Sequence, residues 1–147
     1  MNEPGAENQA LYRTLKDILN RQAEVISVWF EPDAIQKRYL AAEVDPQRVV
    51  PSTGPESPRL GVHWKLTPPH DVFRVDYADP NLDFHCGWHQ DEDHSNLGAA
   101  HFQYQTASME TPHHEGVVFE AESPPKLLWE CCSELFEEIL FTDTEEF

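Results

Sequence analysis

The chain has 147 residues and a formal net charge of −17, from 27 acidic against 10 basic side chains. This length is typical of one domain with one hydrophobic core, so we expect residues 1–147 to form a single unit. The dispersed acidic surface disfavours binding to nucleic acid and anionic membranes at ordinary ionic strength. Near 1 M salt the Debye length falls to about 3 Å, which makes an RNA partner acceptable in a salt-rich cytoplasm.

The composition also predicts a compartment. Apolar runs are far shorter than the roughly 18 residues of a membrane span, and the N-terminus lacks a signal pattern, so we expect a cytoplasmic protein without a membrane partner. Four lysines among so many acids are typical of a halophilic host. The adjacent Cys131 and Cys132 give no disulfide framework and are interpreted as buried thiols. Cys86 is interpreted either as a buried core thiol, like the other two cysteines, or as a candidate metal ligand or nucleophile.

The N-terminal half alternates between regular segments and loops. Residues 1–7 are predicted to form a flexible tail before a helix capped by Asn8, whose apolar residues recur at helical spacing. Residues 25–30 are β-branched and aromatic and predict a strand. Residues 37–44 fit a helix or a strand. Four prolines and a glycine in residues 46–58 predict a loop.

The C-terminal half is dominated by strands. Apolar and polar residues alternate in four segments, a shorter strand follows a loop at 106–115, and Ser123-Pro124 begins a helix with an apolar stripe. The fold class that we predict is α+β, a mostly antiparallel sheet of five to six sequential strands flanked by an N-terminal and a C-terminal helix. The predicted strands of this half are 59–66, 72–77, 84–89, 101–104 and 116–120.

The polar residues of these strands are expected to share one face of the sheet, opposite the face that the helices cover. A shift of one residue in the register would invert the assignment. The predicted polar face carries His63, Lys65, Arg74, Asp76, His85, His89, His101 and Gln103.

The segment 84–104 is rich in metal-ligand side chains, which makes a divalent transition metal one hypothesis. On one extended strand His85 and His89 lie about 13 Å apart, at roughly 3.3 Å per residue, so they do not share an ion. A site needs either ligands from the adjoining loop or His85 with His101 across strands. The loop set is His89, Asp91 and His94, holding zinc, iron, nickel or manganese.

A second hypothesis is acid–base catalysis without a metal. Histidine titrates near neutrality, so two histidines beside a scissile bond can take up and return a proton. Arg74 or Lys65 would stabilise the negative charge that develops on a phosphate. We take His85 and His101 as the first pair to test, and RNA cleavage through its own 2′-hydroxyl as the reaction.

A third hypothesis is a protein without catalytic activity that docks a partner through the exposed face of the sheet. Tyr77, Trp88 and Tyr104 are candidate anchors, since aromatic side chains contribute much of the affinity at interfaces. The same spacing is typical of core residues. The residues alone leave the metal, catalytic and interaction hypotheses open.

One family resemblance adds to these hypotheses. Val72-Phe73-Arg74-Val75-Asp76-Tyr77-Ala78-Asp79-Pro80, the run of histidines, and Ser-Pro-Pro before a Leu-Leu-Trp-Glu helix resemble the TumE-type toxins of prokaryotic toxin–antitoxin operons. The resemblance covers about residues 59–139, and this sequence looks like a salt-adapted archaeal member of that family. It implies a toxin with a helix-turn-helix antitoxin as protein partner and an intracellular target such as RNA. The site residues that it implies are Arg74, Asp76, His85, His89 and His94.

Overall fold

The computed structural model of the chain describes residues 5–32, 37–66, 71–90 and 100–140. An N-terminal helix precedes seven strands, and a second helix follows them. The second helix continues directly into a π-helical segment, Glu134–Ile139, in which the amide of Leu140 donates to the carbonyl of Leu135 over 3.0 Å. The elements are α1 (Gly5–Asn20), β1 (Val25–Pro32), β2 (Lys37–Val44), β3 (Arg59–Lys65), β4 (Val72–Asp79), β5 (Phe84–Gln90), β6 (Ala100–Gln105), β7 (His113–Val117) and α2 (Pro124–Ser133).

All seven strands form one antiparallel sheet in the order of the sequence, from β1 at one edge to β7 at the other. The predicted class, an antiparallel sheet with a helix at each end of the chain, is confirmed, but the strand number of five to six was too low. Residues 37–44 form a strand, in which the buried Leu40, Ala42 and Val44 alternate with more accessible side chains. Period-2 burial is the signature of a strand.

The last strand, His113–Val117, begins three residues before the predicted 116–120, so its first three residues fall in the predicted loop 106–115. β7 pairs with β6 in a register that sets Tyr104 opposite His113 and Ala100 opposite Val117. Of its five residues, His-His-Glu-Gly-Val, only the last is β-branched, so the sequence carries little of the pattern that marks a strand. This strand is therefore defined by its backbone pairing with β6, and not by a side-chain pattern that would have predicted it.

The two helices pack against one face of the sheet and form the core there. α1 contributes Leu15 and Leu19, and its Tyr12 hydroxyl accepts a hydrogen bond from the Trp64 amide over 2.9 Å. Neither helix in the described part of the chain has the length and apolar content needed to cross a bilayer. α1 begins at Gly5, so the helix reaches into the residues predicted as a tail. The sheet contributes to this core Leu60, Val62, Trp64, Phe73, Val75, Tyr77, Phe84, Cys86, Trp88 and Phe102.

The loop between β2 and β3, which includes the proline-rich residues 46–58, is attached to the turn after β4. Asn81 binds Glu56 twice, because its side-chain oxygen accepts from the Glu56 amide over 2.9 Å and its Nδ2 donates to the Glu56 carbonyl over 2.8 Å. The buried carboxylate of Asp79 accepts from the Thr53 hydroxyl and from the Asn81 amide. This network holds the loop against the sheet.

Candidate functional site

The face of the sheet opposite the helices, called the open face below, collects the polar side chains of β3 to β7. The registers place His63 opposite Arg74, Arg74 opposite His89, His89 opposite His101, and His101 opposite Gly116. Neighbouring strands lie about 4.8 Å apart, so His63 and His89 stand about 10 Å apart with Arg74 between them. One row across the sheet therefore holds three histidines, with Arg74 between the first and the second.

Asp76 links two members of that row. Its Oδ1 lies 2.6 Å from His89 Nε2, and its Oδ2 lies 3.6 Å from Arg74 Nε. A carboxylate only accepts hydrogen bonds, so His89 Nε2 carries the proton and donates it. The lone pair of neutral His89 is then on Nδ1, which is the nitrogen able to exchange a proton. Asp76 thereby fixes both the orientation and the tautomer of His89.

Gly87 gives the Asp76 carboxylate the space to reach His89. Gly87 lies directly opposite Asp76 on β5, and a Cβ atom built there would collide with Asp76 Oδ1 and lie 2.7 Å from the Val75 carbonyl oxygen. Gly61 lies opposite Asp76 on the other side, on β3, and a Cβ there would meet no atom within 4 Å. The two glycines flank the same carboxylate, but only Gly87 is required by a close contact.

His101 and His114 extend the row behind His89. The rings of His89 and His101 meet edge to face with centroids 5.2 Å apart, and His114 stacks on His101 at 5.4 Å. His89 and His101 are 3% and 2% exposed, whereas the side chains of Arg74 and Asp76 are 56% and 38% exposed. The accessible part of the site is thus Arg74, Asp76 and His63, with His89 at its inner side.

His63 is the exposed histidine of the row. Its ring stacks on Tyr39, with centroids 4.3 Å apart and planes 18° apart. Desolvation lowers the pKa of His63 below its ordinary value, and the nearby Arg74 lowers that pKa further, while Asp76 opposes the change. An imidazole with a lowered pKa is neutral at pH 7 and therefore available as a proton acceptor.

Aromatic and basic side chains continue the open face beyond His63. Trp29 on β1 and Tyr39 on β2 lie on it, and the Arg59 guanidinium stands 5.9 Å from the Trp29 ring centroid. Arg59, Lys65 and Arg74 are all exposed. This part of an otherwise acidic protein therefore offers flat rings beside positive charge.

The structure brings Arg74, Asp76, His89 and His101 together, as the period-2 pattern predicts. It does not bring His85 to His101, because the register sets His85 opposite Gln105 and Ala78, four residues along β5 from His89. Asp91 and His94, two of the three predicted metal ligands, lie outside the described residues, as does the Asp93 beside them. Within the described ranges, no three His, Cys, Asp or Glu side chains converge to hold a metal ion.

Sequence reasoning missed three contributors. His114 falls in a segment interpreted as a loop, Tyr39 falls in one that fits a helix or a strand, and Gly87 has no side chain that would mark it as part of the polar face. A glycine inside an alternating strand often marks the close approach of another group, and that signal points to Gly87. No comparable signal identifies His114, because its strand has no apolar alternation.

The cysteines are not part of the site. Cys86, Cys131 and Cys132 are buried and free, and burial raises the pKa of each thiol, that of Cys132 to about 12. We expect iodoacetamide at pH 8 to leave all three unmodified in the folded protein and to alkylate all three in urea, because only the thiolate reacts. Mass spectrometry of the intact chain checks this; rapid labelling of Cys86 in the native state would contradict the assignment.

Comparisons of the chain with family models, with curated proteins and with solved structures find no match. The chemistry of the open face therefore has to be derived from its own geometry.

Proposed function

We propose that this protein cleaves single-stranded RNA by acid–base catalysis on the open face and acts as the toxin of a TumE-type toxin–antitoxin pair. The observation that supports the proposal best is the row His63–Arg74–His89, in which Asp76 bonds to His89 Nε2 at 2.6 Å. Two imidazoles on either side of a guanidinium are the groups that a phosphodiester transfer requires.

The reaction follows from the properties of these groups. Neutral His63 takes the proton of the ribose 2′-hydroxyl, and the 2′-oxygen forms a bond to phosphorus. The bond from phosphorus to the 5′-oxygen breaks, and that oxygen receives a proton from Nδ1 of doubly protonated His89. Proton exchange with water restores both histidines. The products are a 2′,3′-cyclic phosphate and a 5′-hydroxyl end.

Arg74 is the phosphate-binding group in this scheme. Its guanidinium has five N–H donors, and only Nε faces Asp76, so donors remain for the non-bridging oxygens. The His89 side chain is 4% exposed, so the proposal requires the leaving oxygen to approach Nδ1 beside the more exposed Arg74 and Asp76. His101 meets the His89 ring edge to face and is itself 2% exposed, so it is a positioning residue.

The aromatic residues of the open face support a single-stranded substrate. Unpaired bases stack on exposed aromatic rings of a sheet, and this contact tolerates any sequence. Trp29 and Tyr39 provide partly exposed rings beside Arg59 and His63. The net charge of −17 opposes RNA binding in dilute buffer, so we expect cleavage in molar KCl, where the long-range repulsion is screened.

The test is a cleavage assay with a fluorophore-quencher RNA oligonucleotide in about 2 M KCl, a concentration at which repulsion between separate charges is negligible. We expect His63→Ala, Arg74→Ala and His89→Ala each to lower the rate by about 10²-fold or more. His85→Ala, on the same strand and face as His89 but four residues away, is the matched control and should stay near the rate of the unchanged protein. Equal activity of all four variants would refute the assigned roles.

A second arm tests the cellular role. Expression in a salt-adapted host should arrest growth, and the arrest should disappear with His89→Ala. Coexpression of a helix-turn-helix protein encoded next to this chain should relieve it. Growth arrest that persists with His89→Ala would show that toxicity does not depend on the proposed chemistry.

The acid side of the pH–rate profile follows from His63. Because its folded pKa lies below the ordinary value of about 6.5, the neutral base persists to lower pH than for a free histidine, and on the acid side activity falls as pH drops through that lowered pKa. The same difference makes the unfolded chain bind the proton more readily, so stability declines as pH falls from about 6.5. Urea titrations at about pH 5 and pH 7.5 should show that His63→Gln loses less stability on acidification. An equal loss in both proteins would contradict this.

A further inference from the structure

A cavity lies on the helix side of the sheet, away from the histidine row. It is a cleft of about 490 Å³ between α2 with its π-helical continuation and the strands β5 to β7. This volume is within the range of about 300–1,000 Å³ that is typical of ligand sites. Trp88 and Phe102 form its floor with ring centroids 5.1 Å apart, and Cys131 and Ile139 form the wall toward the helix.

The rim of the cleft is acidic. Glu130, Glu134 and Glu138 follow one another at intervals of four residues along the helix, and Glu115 faces them from β7. Glu115 stands opposite Phe102 and so points to the side that is otherwise apolar. The Glu130 carboxylate accepts from the Ala121 amide over 3.1 Å, which attaches the segment after β7 to α2 and closes one end of the cleft.

The cleft opens beside an unpaired strand edge. β7 is the last strand of the sheet, so its outer edge faces no other strand in the described part of the chain. The side chain of Val118, just beyond it, is 96% exposed. An open edge next to a side-chain pocket is the arrangement by which an extended peptide is added to a sheet as a further strand.

We propose that this cleft and the edge of β7 bind an extended, basic and apolar segment of a partner protein. The peptide backbone pairs with β7, and an aromatic or aliphatic side chain enters between Trp88 and Ile139. Lysines or arginines two residues before and after it point to the same side of the strand and meet the glutamates of the rim. The last residues of the chain itself are unsuited to the cleft, because they carry Asp143, Glu145 and Glu146. The proposal does not depend on the RNA chemistry of the other face.

The test measures binding of a fluorescent peptide, Thr-Lys-Thr-Phe-Thr-Lys-Thr, by anisotropy in about 0.5 M KCl, where non-specific attraction is screened. In an extended strand its phenylalanine and both lysines point to the same side. We expect the double variant Glu115→Lys/Glu134→Lys to weaken binding by about tenfold or more. The matched control is Asp17→Lys/Glu137→Lys, which changes net charge equally at exposed positions outside the cleft and should bind as the unchanged protein does. Equal weakening by both double variants would show general charge attraction and overturn the proposal.

A second comparison tests the strand pairing. The same peptide with alternate backbone amides N-methylated keeps its charges and side chains but loses the donors that pair with β7. We expect its affinity to fall by about tenfold, and unchanged affinity would overturn the extended mode of binding. All these variants alter exposed side chains or the peptide alone, and RNA cleavage on the open face should be unaffected in each.

Discussion

Gly87→Ala is expected to lower the rate of RNA cleavage by about 10²-fold, whereas Gly61→Ala leaves it within about twofold, although neither residue can titrate or donate a proton. The two glycines lie on either side of Asp76 in the sheet, and a methyl group fits beside it only at position 61. At position 87 the methyl group displaces the Asp76 carboxylate from His89. His89 then loses the hydrogen-bond partner that fixes its tautomer.

A second variant separates this effect from general damage to the strand. Asp76→Asn keeps the shape of the side chain and an oxygen that can accept from His89, but it removes the negative charge that stabilises the protonated form of His89 in the reaction. It should therefore lose activity as Gly87→Ala does while retaining the stability of the unchanged protein within about 1 kcal/mol. Cleavage rates and circular dichroism of the variants check the prediction. If Gly87→Ala is folded and as active as Gly61→Ala, the bond from Asp76 to His89 has no part in the reaction.

Asp79→Ala is expected to lower the free energy of unfolding by about 2–3 kcal/mol, because it removes a buried carboxylate and leaves the donors of Thr53 and Asn81 without their acceptor. The loss also frees the loop from the turn after β4. Glu56→Ala is the control within that loop, since Asn81 contacts only the backbone of Glu56, and it should change stability by less than about 0.5 kcal/mol.

Urea titrations followed by tryptophan fluorescence measure both variants. The slope of the unfolding free energy against urea should stay the same, because the surface exposed on unfolding is nearly unchanged. Equal stability of Asp79→Ala and the unchanged protein would mean that the loop is held by other contacts.

The sheet and its two faces were predictable because one physical signal, the alternation of apolar and polar residues, runs through β3, β4, β5 and β6. That signal placed Arg74, Asp76, His89 and His101 on one face. The prediction left β2 as either a helix or a strand because Ala41 and Ala42 fit both kinds of element. It placed β7 too late in the chain because an edge strand with one neighbour needs little apolar character.

The relations between side chains in the site were less predictable than their face. The sequence could not fix which histidine stands beside His101, because that depends on the register between β5 and β6, and a hairpin register follows from loop geometry. The register selects His89 and leaves His85 elsewhere. The spacing of residues along the sequence also does not reveal that the Asp76 carboxylate occupies the space beside Gly87, since this contact joins residues of different strands.

The most direct test of the proposed chemistry uses a DNA oligonucleotide that contains a single ribonucleotide. The mechanism needs the 2′-hydroxyl as its nucleophile, so we expect one cut, on the 3′ side of the ribonucleotide, with a 2′,3′-cyclic phosphate on one product and a 5′-hydroxyl on the other. The all-DNA oligonucleotide should remain intact. Cleavage at deoxyribonucleotides, or products that end in a 3′-hydroxyl and a 5′-phosphate, would show that water is the nucleophile and would contradict the proposed roles of His63 and His89.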